Sequence, residues 1–242
     1  MTTTHRPLLV AAAFSLGALS LSASAAPARS AKPKATMVQT GNWANAVVAE
    51  DSGHRFGNPE AKAKLVEYMS YTCSHCAEFA RTGDLVIKQL VVPRGNISFE
   101  IRHLLRDPID LTAALLTHCG EPEKFIGNHE AIMKRQGEWM GTARKATQAQ
   151  RTRWSFGTNA ARWRAIASDL GFSDIMEDRG YSRAALDRCL ADQTKADTLA
   201  ETSARDVSTY ALPGTPSFVL DGKLLDGVHS WDALKPVIEK LD

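Results

Sequence analysis

Residues Leu65 to Tyr71 form a short apolar, strand-favouring run that passes within two residues into Cys73-Ser74-His75-Cys76. Lys64 to Tyr71 reads as a buried strand. From Cys73 to Val91, apolar residues at Cys76, Phe79, Ala80, Leu85, Val86 and Leu90 recur near helical spacing, with Gly83 as a weak point. A buried strand that turns directly into a helix opening on Cys-x-x-Cys restricts the chain to an α/β arrangement, with both thiols one turn apart at the carboxyl end of the strand. The first thiol then meets the unpaired amides and the positive end of the helix dipole, which favour an anion and lower the pKa of Cys73. His75, when protonated, adds a positive charge beside the same sulfur. Cys73 is thereby the expected nucleophile, and Cys76 the more buried thiol that resolves mixed disulfides.

A bare Cys-x-x-Cys also occurs as half of a zinc site or as an inert disulfide. The remaining cysteines, Cys119 and Cys189, are isolated from each other, which argues against zinc, and so small a loop gains little stability from a cross-link. Neither a metal nor a cofactor is expected. Four cysteines among 242 residues are far too few for a disulfide-dense scaffold, so a chain that is 44% apolar must rest on a hydrophobic core. Lys plus Arg total 29 against 27 Asp plus Glu, a net charge of +2 that gives no reason to expect a nucleic-acid partner.

The amino terminus has a different character. His5 and Arg6, an uncharged run from Leu8 to Ala23, and small residues at Ala23-Ser24-Ala25 read as a secretory signal over residues 1–25, cleaved after Ala25. The apolar stretch is short for a membrane span, so the mature chain is expected to be soluble in an oxidising compartment. Residues 26–40 read as a flexible leader. Trp43 to Ala49 is a candidate strand, Gly57-Asn58-Pro59 a turn, and Ile97 to Leu104 a strand by its alternation.

Helical spacing follows over Leu111 to His118, Pro122 to Trp139, Asn159 to Leu170, Arg183 to Ala191 and Lys195 to Tyr210, with Gly120, Gly171 and Gly180 as stops. Gly141 to Gly157, which carries Arg144, Lys145, Arg151 and Arg153, reads as a mobile, solvated loop with room for one short helix. Trp139, Trp154 and Trp163 read as packing residues. Ser217 to Leu220 and Lys223 to Leu225 flank Asp221-Gly222, a hairpin signal, before a final helix from about Trp231 to Leu241 capped by Ser230, with Pro236 either bending that helix or delaying its start. Strands at both ends and helices between them predict one sheet built from distant segments, residues 41–105 and 211–242, with a helical insertion over 106–210.

The run Leu65-Val66-Glu67-Tyr68-Met69-Ser70-Tyr71-Thr72-Cys73-Ser74-His75-Cys76, with Gly214-Thr215-Pro216-Ser217-Phe218 and Asp221-Gly222 far downstream, resembles the thiol:disulfide interchange proteins of the DsbA type. The resemblance implies a thioredoxin fold with an inserted α-helical subdomain. It implies that Cys73 is the nucleophile, Cys76 the resolving cysteine, and Pro216 a cis-proline whose loop, with Thr215, binds the client backbone. Glu67 matches the family's buried acid and is expected to accept a proton from Cys76, the alternative being an exposed residue on an edge strand. Ser74 and Thr215 depart from the best-known member, which has proline and valine there.

The implied activity is that of a periplasmic oxidase that donates the Cys73–Cys76 disulfide to reduced, unfolded exported proteins and is re-oxidised by a quinone-linked membrane partner. An isomerase or reductase using the same cysteines is a second reading. A third is a non-catalytic peptide-binding chaperone, or a metal carrier using Cys73, His75 and Cys76. A monomer is expected, because residues 26–40 are too few to form the dimerisation domain of related isomerases. In an oxidising compartment Cys119 and Cys189 are expected to form a structural disulfide rather than remain two buried free thiols.

Overall fold

The computed structural model describes residues 43–241, so the expected signal over 1–25 and leader over 26–40 lie outside the described residues. Its strands are β1 (Val47–Ala49), β2 (Gly53–Phe56), β3 (Ala63–Met69), β4 (Ile97–His103), β5 (Ser217–Leu220) and β6 (Lys223–Leu224), in the sheet order β1-β2-β4-β3-β5-β6. β3 and β4 run parallel and every other neighbouring pair is antiparallel, so the closing hairpin adds to the parallel pair along β3, as expected. Asp221 and Gly222 both take positive φ at its tip, the conformation a two-residue hairpin requires. The first candidate strand is shorter than expected, since Trp43–Asn45 is a 3-10 turn, and β2 was not anticipated at all. β2 has only four residues and no apolar alternation. Gly53 fits because a Cβ there would come within 2.4 Å of the Ile101 carbonyl oxygen.

Alternation along β3 divides its side chains between two layers. Leu65 and Met69 join the main core with Phe99 and Ile101 of β4 and Phe218 of β5, whereas Tyr68 packs with Leu212 and Val219 on the other face. Glu67 falls in register between Ile101 and Phe218, two fully buried apolar residues. It is therefore interior and central, and the edge-strand alternative does not hold.

The helix after β3 departs from simple periodicity. α1 (Ser74–Phe79) continues without a break through two π-helical turns, Ala80–Asp84 and Ile87–Val91. Cys76 and Phe79 are buried as expected, but each wider turn shifts the helical register, and the expected face is lost beyond them. Leu85 and Leu90 are exposed, while Asp84, Ile87 and Val91 are buried. Gly83 makes room for the Phe79 ring, which a Cβ at that position would meet at 2.5 Å.

The helices between β4 and β5 are α2 (Pro108–Thr117), α3 (Phe125–Lys134), α4 (Gln136–Arg144), α5 (Gln148–Ser155), α6 (Asn159–Asp169), α7 (Phe172–Asp178), α8 (Arg183–Cys189) and α9 (Gln193–Tyr210). The single helix expected over Pro122 to Trp139 breaks at Arg135, and α7, only seven residues between two glycines, is too short to show a period. The segment expected as a loop over Gly141 to Gly157 is helical over most of its length. α5 enters through a capping box of Thr147 and Gln150, and Trp154 Nε1 donates to Asp169 Oδ2 at 2.7 Å. Its four basic residues are exposed, and Trp139 and Trp163 are buried.

α10 (Trp231–Ile238) closes the fold, with Ser230 Oγ accepting from the Ala233 amide and Pro236 accommodated inside the helix. Cys119 and Cys189 are joined by a disulfide between the second residue after α2 and the last residue of α8. Their separation of 70 residues predicts a loss of about 4 kcal/mol when both are replaced by alanine, in the chain-entropy view. Urea denaturation of Cys119→Ala/Cys189→Ala against the parent measures it, and equal midpoints would show that the bridge contributes nothing.

Candidate active site

Cys73 caps α1 in extended backbone, with φ −94° and ψ 121°. In that position the amides of His75 and Cys76 point at its sulfur, as free amides at a helix start do. The Cys76 thiol is the strongest single influence, donating to the Cys73 sulfur, and the Thr215 side chain and the two amides add to it. Together they outweigh burial and hold the Cys73 thiol down to about 4, against an ordinary 9.0. Cys73 Sγ also lies 3.2 Å from the Thr215 carbonyl oxygen, which accepts from the sulfur only in its thiol form. The His75 ring stands exposed, beside Glu78, His229 and Trp231, so its contact with the nucleophile is through the backbone amide.

The opposite wall of the site is the loop before β5. Thr215–Pro216 is a cis peptide, and His229 Nδ1 donates to the Pro216 carbonyl oxygen at 2.8 Å. Cys73, His75, Leu104, Arg106, Pro213 and Thr215 line an open cleft of about 420 Å³ between this loop and α1. Both sulfurs are buried, Cys73 at 6% exposed against the cleft and Cys76 at 1% exposed behind it.

Cys76 has the opposite chemistry. Burial, its hydrogen bond to Cys73 and the nearby Glu67 all push its thiol well above the ordinary range, opposed only by the Ser70 amide, 3.5 Å from the sulfur. Glu67 is likewise pushed well above the ordinary carboxyl range, first by burial and then by Asp84. The structure thus brings Cys73, Cys76, Glu67, Thr215 and Pro216 together. Among the described residues, no group of three or more His, Cys, Asp or Glu side chains is placed to hold a metal ion.

A family model described as thioredoxin matches residues 49–240. The chain belongs to the thioredoxin family. A protein-disulfide isomerase from Novosphingobium aromaticivorans is 44% identical, with a TM-score of 0.76 over 80% of this chain and all of that one. The DsbA-type fold is shared with alpha-DsbA1 of Wolbachia pipientis, 22% identical with a TM-score of 0.57 over 77% of this chain and 89% of that one. A Rickettsia bellii relative, provisionally named a protein-disulfide oxidoreductase, is 25% identical over 76% of this chain; the chain spans 62% of that relative's length. The resemblance to the DsbA type and the thioredoxin fold with helices inserted between its strands are both borne out.

Several residues that shape this thioredoxin-family site were not anticipated. Asp110 of α2 accepts from the Tyr71 amide at 2.8 Å, the Ser70 hydroxyl at 2.6 Å and the Arg106 amide at 3.1 Å, although burial pushes its carboxyl up to about 7. Gln136, 7% exposed, donates from Nε2 to the carbonyls of Tyr71 and Cys73 at 2.6 and 2.7 Å. The insertion therefore holds the turn that presents Cys73. Asp110 stands three residues after its helix cap, Asp107, which is a readable sequence signal. Nothing local marks Gln136, 65 residues from the carbonyl of Tyr71.

The thiolate absorbance of the reduced protein is expected to titrate near pH 4. The sign follows from a folded value below the unfolded one: the Cys73 contribution to stability of the reduced form is complete above about pH 9 and is lost as pH falls through about 4. Thr215→Val, which removes a hydroxyl beside the sulfur, raises the midpoint, and His75→Ala, which keeps the amide, moves it less. An equal shift in both variants would show that the imidazole acts on the sulfur as strongly as the Thr215 hydroxyl.

Proposed function

We propose that the chain is an exported protein thiol:disulfide oxidoreductase that donates the Cys73–Cys76 disulfide to reduced, unfolded proteins. The observation that carries this reading is the opposition of the two thiols, one held down to about 4 and the other pushed well up. A stabilised Cys73 thiolate is a good leaving group and makes the dithiol form the more stable one, which favours giving the disulfide away. A client thiolate attacks Cys73, a mixed disulfide forms, and Cys76 leaves with the electron pair. A second client thiolate then attacks the client sulfur of that bond, and Cys73 departs as its stable thiolate. The client is oxidised by two electrons and the protein is reduced by two.

In this reading Thr215 and Pro216 hold the client backbone in the cleft, and Glu67 accepts the Cys76 proton when the disulfide is re-formed. The apolar run before Ala25 supports export to the periplasm. Among the described residues, no helix is long and apolar enough to cross a membrane. Re-oxidation is assigned to a quinone-linked membrane partner and the working state to a monomer, both on the likeness to the DsbA type. Cys119 and Cys189 stay bonded through the cycle, remote in role from the exchanging pair.

Isomerisation with the same cysteines is the second reading, favoured by the name of the Novosphingobium relative. Oxidation of a reduced protein and repair of a scrambled one, measured side by side with sedimentation for the oligomeric state, separate the two. The donor reading expects faster oxidation by a monomer; a stable dimer that repairs faster than it oxidises would overturn it. Cys76→Ala is expected to trap clients through Cys73 alone, and mass spectrometry locating clients on any other residue would remove Cys73 as the point of attack.

A further inference from the structure

The insertion carries a concentration of positive charge that the exchange chemistry does not use. Between Glu138 and Asp169 there are six basic side chains, Arg144, Lys145, Arg151, Arg153, Arg162 and Arg164, and no acidic one, in a chain with 27 acids to 29 bases overall. Folding does not neutralise them. Among the described residues, only Arg153 of the six pairs with a carboxylate, that of Asp169. Phe156, at the end of the helix that bears Arg151 and Arg153, stands 74% exposed. Unopposed cations beside a large apolar side chain left in water mark a surface that receives a partner.

This surface is continuous with the Cys73 cleft. Arg106 lines that cleft and also a second one, of about 350 Å³, between α2, α6 and α9. Asp107, Pro108 and Arg162 line the second cleft and a third, of about 430 Å³, between α2, α5 and α6. The middle cleft is balanced in charge, with Arg106 and Arg162 against Asp107 and Asp197. In the third, apolar walls from Pro108, Ile109, Trp154 and Ile166 stand beside Arg151 and Arg162. The one acid there, Asp107, caps α2 by accepting from the Asp110 amide at 2.9 Å, so the positive end of the helix offsets its charge.

The third cleft is organised before anything binds. The Trp154 indole is fixed by its bond to Asp169, and Arg162 donates from Nε to the Trp154 carbonyl at 2.8 Å and from Nη1 to Asn159 Oδ1 at 3.2 Å. A guanidinium has five donors, so three on Arg162 remain without a protein acceptor. Among the described residues, the Arg151 side chain has no hydrogen-bond acceptor and no ion pair, so all of its donors remain.

We propose that this third cleft, with Arg151 and Arg162, is a second client subsite that selects polypeptide segments carrying carboxylates next to an apolar side chain. The proposal rests on the disulfide-donor reading above: the client cysteine reacts at Cys73 while a flanking part of the same chain reaches along the start of α2 to the insertion. Clefts in series receive an extended chain, the form that a reduced, unfolded client presents. Its apolar side chain covers the wall of Trp154 and Ile166, and its acidic neighbours meet the two arginines, whose planar forks accept carboxylates through paired bonds. Such a contact strengthens binding without touching the reacting sulfurs, so it lowers KM and leaves kcat in place.

The test measures kcat and KM for oxidation of dithiol peptides by the disulfide form of the full chain. The peptides share one length and one cysteine pair. They differ in a flanking segment, Glu-Leu-Glu, Gln-Leu-Gln or Lys-Leu-Lys, set at several distances from the cysteines. At the spacing that reaches the third cleft, the acidic peptide is expected to have a kcat/KM about fivefold above that of the amide peptide, with the whole difference in KM and a smaller difference at high salt. Arg151→Glu is expected to reverse the order, so that the lysine peptide overtakes the glutamate one. Arg188→Glu, exposed on α8 and outside all three clefts, is expected to keep the wild-type order. A folding defect lowers all three peptides together and does not reverse them. Should charge reversal prevent folding, Arg151→Gln is the second variant, with the preference falling from about fivefold to about twofold.

Equal kcat/KM for the three peptides at every spacing, by a wild-type protein that oxidises them all, would overturn the subsite alone; a wild-type protein that oxidises none would overturn the donor reading. A preference for the acidic peptide that survives both Arg151 variants would also refute the subsite. Sedimentation with phosphatidylglycerol vesicles runs alongside. Vesicle binding that is lost in the Arg151 variants, without discrimination among the peptides, would assign these cations to a lipid surface and overturn the proposal.

Discussion

The unequal polar surroundings of two sulfurs one helical turn apart are the constraint on which the rest of this structure depends. Cys73 sits at the amino end of α1, where the helix supplies unpaired amides and the sulfur lines the cleft. Cys76 faces inward, with only the Ser70 amide to favour its anion. The same turn of helix therefore gives one thiol a reason to ionise and the other a reason not to. The Cys76 thiol in turn donates to the Cys73 sulfur, so the high pKa of the inner group helps to produce the low pKa of the outer one. A dithiol organised in this way is stabilised relative to its disulfide, which is the direction a donor requires.

Keeping that asymmetry demands a dry floor. Glu67 is held between Ile101 and Phe218 by strand register, so its burial is a consequence of the sheet and not of local loop conformation. Phe79 closes the same layer against Phe218, with ring centroids 4.7 Å apart. The π-helical turn at Ala80–Asp84 then places a second carboxyl, Asp84, among the buried residues. Burial first, and then the nearby Asp84, push the Glu67 carboxyl well above its ordinary range.

What the sequence made legible, and what it did not, divides along the range of the interactions. The strand before Cys73, the helix start and the thiol pair follow from a dozen contiguous residues whose pattern expresses their own physics. Thr215 and Pro216 were legible only through resemblance, since the cis geometry and the approach to Cys73 depend on a sheet that joins residues 142 positions apart. Asp84 was hidden because helical periodicity assumes 3.6 residues per turn, and two π turns break that assumption. His129 and Gln136 were hidden because each is an ordinary polar residue of a helix until the insertion folds back over the turn at Tyr71. α5 was the reverse case: its capping box was present in Thr147 and Gln150, and the basic, polar composition obscured it.

The insertion is more than a lid on the thioredoxin sheet. Asp110 fixes Ser70 and Tyr71 from α2, Gln136 fixes the carbonyls of Tyr71 and Cys73 from α4, and His129 binds the Tyr71 hydroxyl from α3. Three helices thus converge on the four residues between β3 and α1. The backbone there is irregular and carries groups that no strand or helix partner satisfies, so it must borrow donors and acceptors from elsewhere. Side chains from a separate layer supply them without adding length to the turn, and the nucleophile keeps its position at the end of the helix. The disulfide between Cys119 and Cys189 ties α2 to α8 within that same layer. The Cys119–Cys189 bond therefore braces the layer whose side chains position the turn at Cys73.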